Sequence, residues 1–156
     1  MNRRSLILLA AASLCGLFFT LPSTAADEFP AGSPKFETSY KAALSEAKKT
    51  GKPLIAIFSA SWCAPCQVNK KKVYPSAQVK PYHDKFVWAY LNADEPANQA
   101  ILKQYSAKGE IPHIQFFDKN GNSLGSEGAT TAPAFAKTLA GILAKSGASA
   151  APAKKK

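Results

Sequence analysis

Residues 53–66, PLIAIFSASWCAPC, decide how this chain reads. Pro53 to Ser59 form a short continuous apolar run, the pattern of a strand buried on both faces. Two cysteines follow it, Cys63 and Cys66, behind Trp62 and around Ala64 and Pro65. The segment then enters a helix predicted from about Cys63 to Tyr74, which Pro75 stops. A strand running into a helix, with a thiol pair at the junction, leaves three readings: a staple, half of a metal site, or a redox centre.

A structural disulfide gains most by closing a long loop, and this pair closes a very short one. A structural zinc site needs four ligands, and the mature chain adds only His83 and His113, irregularly spaced and with no second CxxC. Thiolates also bind Cu(I), but the single methionine is Met1, which gives a copper site no thioether. No metal and no cofactor is expected. The redox reading fits the local structure. At a helix N-terminus, unpaired backbone N–H groups and the positive end of the helix dipole stabilise a thiolate at Cys63. Cys66, one turn further in, is close enough to pair with it and more shielded. Cys63 is then the nucleophile and Cys66 the resolving thiol. Ala64 and Pro65 shape the site, Pro65 by fixing the backbone where its missing N–H costs little.

Outward from this stretch, Phe36, Tyr40, Ala43, Leu44 and Ala47 recur at helical spacing, and Gly51 closes that segment after Lys48 and Lys49. Beyond the cysteine helix, Ser76 reads as the cap of a short helix to about Tyr82. KFVWAYLNAD is a second buried strand, and Ala97 to Tyr105 a helix. Ile114 to Asp118 is a strand, KNGN a hairpin turn, and Ser123 to Glu127 its return strand. Thr131 and Pro133 open a last helix to about Lys145, with Phe135, Leu139, Ile142 and Leu143 on its apolar face. Strands alternating with helices predict an α/β fold, a three-layer α/β/α domain around a central mixed sheet with an antiparallel edge hairpin.

The chain has 156 residues, 46% of them hydrophobic, which is material for one domain. Arg3 and Arg4, the apolar run Leu6 to Leu21 and the small residues to Ala26 read as a cleaved secretory signal, residues 1–26. Cys15 leaves with it, so the mature chain carries only Cys63 and Cys66, in an oxidising compartment. Residues 27–35 are an extended lead-in, 36–146 the domain, and 147–156 a small, basic tail expected to be disordered. The formal charge is +10, and the two arginines of the signal account for part of it. Such a surface keeps a protein soluble; it also suits an acidic partner or an anionic membrane surface. No basic stripe interleaved with aromatics points to nucleic acid, and no stable membrane insertion is expected after cleavage.

WCAPC after an apolar strand, followed by EIPHIQFFDKNG, resembles the thioredoxin superfamily. The resemblance covers most of residues 36–145. GKPLIAIFSASWCAPC, VYPSAQV and LNADEPANQAILKQY bring it nearest to exported thioredoxin-like proteins and to the soluble C-terminal domain of the membrane electron-transfer protein DsbD. The resemblance implies that Pro112 is cis, opposite the cysteines, and that the backbone at Ile111 pairs with a substrate chain. Trp62 joins that substrate-contact surface. His113 has two readings, a modulator of the Cys63 thiol or a strand residue packed away from it. The Lys70 to Lys72 triplet cannot all face one way on a helix; one of the three can lie near the dithiol, but a solvated face is the simpler reading. One departure from the family stands out. Typical cytosolic members bury an Asp, paired with a Lys, at the positions held here by Ile57 and Tyr90. Glu110 is the acid nearest the Ile–Pro pair in sequence, and reads more simply as a solvated loop residue.

Oxidising family members often carry histidine before the second cysteine, where this chain has Pro65. The expected function is an exported, periplasmic thiol–disulfide oxidoreductase that reduces disulfides in other exported proteins. Its partners are disulfide-containing protein substrates and, by resemblance, a DsbD-like membrane electron donor. The alternatives are a non-catalytic partner-binding module, or a dithiol oxidase or isomerase.

Overall fold

A computed structural model describes residues 29–147. The signal peptide expected over residues 1–26 and most of the tail expected to be disordered lie outside the described residues.

The apolar run is the middle of the sheet. It forms β2 (Leu54–Ser59), six residues all buried, with β3 (Val87–Asn92) on one side and β4 (His113–Phe117) on the other. A strand flanked and covered in this way has no solvent face, which is why its sequence does not alternate. The order is β1–β3–β2–β4–β5, where β1 is Phe36–Glu37 and β5 is Ser123–Glu127. The first three strands are parallel; β4 runs antiparallel to β2, and β5 antiparallel to β4.

Helices cover the two faces. On one face Ile55, Ile57, Trp88, Tyr90, Ile114 and Phe116 pack under Val73 and Tyr74 and under α4 (Ala132–Lys145), whose Phe135, Leu139, Ile142 and Leu143 are all buried. On the other face Leu54, Ala56, Phe58, Leu91 and Phe117 meet Ala43 and Ala47 of α1 (Tyr40–Thr50) and Leu102 of α3 (Pro96–Tyr105). This is the α/β architecture the sequence predicts. Among the described residues no helix is long and apolar enough to cross a membrane.

Three local expectations are corrected. Phe36, counted with the first helix, lies in β1 opposite Trp88. Its ring belongs to an aromatic cluster with Phe29 (4.3 Å between centroids), Tyr90 and Trp88. The helix begins only after Ser39, whose Oγ accepts the Ala42 N–H at 3.4 Å, and ends at Gly51, where φ is 73°. The helix expected to reach Tyr74 is α-helical only as α2 (Ala64–Val68) and continues as a π-turn, Asn69–Val73. There the Tyr74 N–H reaches back to the Asn69 carbonyl at 3.1 Å. Asn69 and Lys70, at the start of this wider turn, are both buried. Finally, the segment after Pro75 is a 3-10 turn at Lys80–Lys85, and Ser76 contributes its carbonyl rather than a side-chain cap.

Candidate active site

Cys63 and Cys66 are joined by a disulfide, with Cα atoms 5.2 Å apart. β2 ends at Ser59, and the Ala60 carbonyl then receives both the Cys63 N–H (3.2 Å) and the Gln67 side-chain amide (3.0 Å). Those two bonds fold the loop back so that Cys63 becomes the N-cap of α2, with Pro65 in the first turn. The Cys66 N–H points at the Cys63 sulfur, 3.3 Å away. An N–H aimed there stabilises negative charge at Cys63 once the bond is reduced. Both sulfurs are buried in this oxidised state, Cys63 4% and Cys66 2% exposed, so shielding hardly separates them. Their difference lies in position, one capping the helix and the other a turn inside it.

Across from the pair lies the Ile111–Pro112 peptide bond, which is cis. Ile111 packs against Cys63, Cys66 and Ala60. Trp62 stands beside them with 69% of its surface exposed, held by its Nε1–H to both carboxylate oxygens of Asp94 at 3.1 and 3.2 Å. Ala64 and Pro65 are exposed at the start of α2. Cys63, Cys66, Trp62, Ile111 and Pro112 are therefore gathered at the C-terminal end of β2.

Two contacts place His113, to Gln115 and to Phe58. Ile114 belongs to the face under α4, so its neighbour His113 turns to the opposite face. There its Nε2 lies 3.1 Å from the Gln115 Oε1 and its ring 6.2 Å from that of Phe58. Glu110 is exposed on its loop, 4.0 Å from the Lys108 ammonium.

Ile57 is 1% exposed and sits between Tyr90 and Ile114 in strand register. The polar groups on this side of the sheet are different ones. The Tyr90 hydroxyl and Ser59 Oγ share a 2.6 Å hydrogen bond, both residues buried. Lys70, one helical turn after Cys66, is only 5% exposed, with its ammonium 4.4 Å from the Phe29 ring centroid and 5.6 Å from that of Tyr90. The solvated reading holds for Lys71 and Lys72 and fails for Lys70. Sequence reading also missed Asp94, because nothing marks a carboxylate 32 positions away as the partner of Trp62.

The family described as Thioredoxin-like matches residues 35–119, more than half of the chain. The thioredoxin-like protein HCF164 of Arabidopsis thaliana chloroplasts is 36% identical over 80 residues, 51% of this chain and 30% of that protein. The thiol:disulfide interchange protein DsbD 1 of Pseudomonas aeruginosa is 31% identical over 83 residues, 52% of this chain and 14% of that protein. The chain thus spans less than a third of either relative. Among solved structures, a thioredoxin from Thermus thermophilus superposes with a TM-score of 0.65 at 25% identity, covering 74% of this chain and 92% of that one. The C-terminal domain of Neisseria meningitidis DsbD shares the fold with a TM-score of 0.56 at 20% identity, covering 69% and 99%.

Proposed function

The chain belongs to the thioredoxin-like family, and we propose that within it the protein is an exported reductase of disulfides in other exported proteins. The observation that carries this reading is the Cys63–Cys66 disulfide, capping a helix and facing a cis Ile111–Pro112 bond. In the reduced protein, the Cys63 thiolate attacks one sulfur of a client disulfide and expels the other as a client thiolate. The mixed disulfide is then attacked at Cys63 by the Cys66 thiolate, which releases the second client thiolate and closes Cys63–Cys66. Two electrons pass from the dithiol to the client, and the protons lost by the two cysteines balance those taken up by the client thiols. The backbone at Ile111, beside Trp62, is where an extended client segment lies during the exchange.

Recycling needs the reverse exchange with a reduced dithiol. A DsbD-like membrane donor fits that role, and the relatedness to DsbD supports it. The basic start, apolar run and small-residue stretch over residues 1–26 support export to the periplasm.

The test is insulin reduction with dithiothreitol, together with trapping in cell extracts. Wild-type protein should accelerate insulin precipitation, and the Cys63→Ser/Cys66→Ser double variant should not. Cys66→Ser should accumulate mixed disulfides on Cys63, while Cys63→Ser accumulates none. Partner capture that survives loss of both cysteines would instead make the protein a binding module.

A further inference from the structure

A cleft of about 210 Å³ opens beside the dithiol. Trp62, Leu102 and Ile111 form its apolar walls, and Asp94, Lys103 and Lys108 its polar rim. Two of those residues tie it to the redox pair: Trp62 adjoins Cys63 in the chain, and Ile111 packs on both cysteines.

Three charged residues line the cleft, the acid Asp94 and the bases Lys103 and Lys108. Both Asp94 oxygens accept the Trp62 Nε1–H. Glu95, at the start of α3, accepts the Asn98 side-chain amide at 3.1 Å. Glu110 meets Lys108 only at 4.0 Å, between side chains 76% and 82% exposed, a contact that water and salt screen. Among the described residues Lys103 has no ion pair. What the cleft offers an incoming group is therefore an apolar floor with two ammoniums against one carboxylate at the rim, a small net positive charge.

We infer that this cleft takes the carboxylate side chain of a client Asp or Glu lying within a few residues of the client's disulfide. The methylene part of the side chain rests on Trp62 and Leu102, and its carboxylate meets Lys103 and Lys108. An extended client strand with its sulfur at Cys63 advances about 3.3 Å per residue, and Trp62 joins the cleft to Cys63, so a client residue close to the reacting cysteine reaches the cleft. The inference rests on the reading of Cys63 as the attacking thiol of a reductase, and adds the class of sequence that such a reductase prefers.

The experiment uses the reduced, full-length mature protein and three synthetic peptides. Each carries the same intramolecular disulfide, with Glu, Gln or Lys at one flanking position, and kcat/KM for reduction is measured at low and high salt. The wild type should prefer Glu over Lys by about three- to tenfold at low salt, with Gln between them and the spread narrowing at high salt. Lys103→Glu/Lys108→Glu should reverse the order. Lys137→Glu/Lys145→Glu, the same charge change on exposed positions of α4, should keep the wild-type order, which separates the cleft from the overall charge. Equal reduction of the three peptides, or an unreversed order in the Lys103→Glu/Lys108→Glu variant, overturns the cleft assignment and leaves the reductase reading standing. No reduction of any peptide by the wild type overturns the reductase reading and this inference with it.

Discussion

Cys63 caps α2 with its own sulfur, which receives the Cys66 N–H at 3.3 Å, and that bond distinguishes the two cysteines although both are buried. The positions of both were legible in the sequence, because a thiol pair at a strand-to-helix junction has few uses and each use has a ligand or loop requirement. What lies beneath them was not legible. Lys70 belongs to a run of three lysines whose simpler reading is a solvated face, yet it is buried, within the π-turn that starts at Asn69. No local sequence signal marks the π-turn. The Tyr90–Ser59 pair, 31 positions apart, was equally hidden. Its contribution can be measured. Tyr90→Phe keeps the ring and leaves the buried Ser59 hydroxyl without this partner, so it should destabilise the protein by about 1–2 kcal/mol in urea unfolding. A variant as stable as the wild type would show that the pair contributes nothing net.

α1 shows how far local signals carry at the scale of an element. Gly51 after two lysines marked its end correctly: its N–H returns to the Ala47 carbonyl at 2.9 Å, and its left-handed φ of 73° turns the following chain out of the helix. Its start was misread, because Phe36 falls at helical spacing from Tyr40 yet is drawn into β1 by contacts with Phe29 and Trp88. Those contacts come from remote parts of the chain, and tertiary packing of this kind overrides periodicity. Gly51→Ala should cost about 1–2 kcal/mol, since a Cβ in the left-handed region is strained even with open space around it. Urea unfolding checks it, and an unchanged midpoint would mean the cap relaxes at no cost.

At the scale of the whole molecule, the order of elements was enough to give the layers. The family resemblance placed Pro112 opposite the cysteines, whereas the antiparallel pairing of β4 with β2 was not read from the sequence. The face under α4 also makes a prediction about pH. Burial holds the Tyr74 phenol far above its ordinary value of 10.0, and repulsion from Tyr90 adds to this, while the Asn69 hydrogen bond opposes it. A tyrosine in the unfolded chain ionises near that ordinary value and the folded one does not. Stability is therefore complete below about pH 10 and falls as pH rises beyond it, by up to about 1.4 kcal/mol per pH unit for this one proton. Tyr74→Phe should lose less stability than the wild type between about pH 9 and pH 11. Equal losses would place the alkaline sensitivity elsewhere. The central claim, that the molecule is a reducing dithiol, is tested most directly by the reduction potential of the Cys63–Cys66 pair in glutathione equilibration. With Pro65 and no histidine before the second cysteine, the value should lie near the about −270 mV of thioredoxin; a value near the about −120 mV of DsbA would contradict the account and make the protein an oxidant.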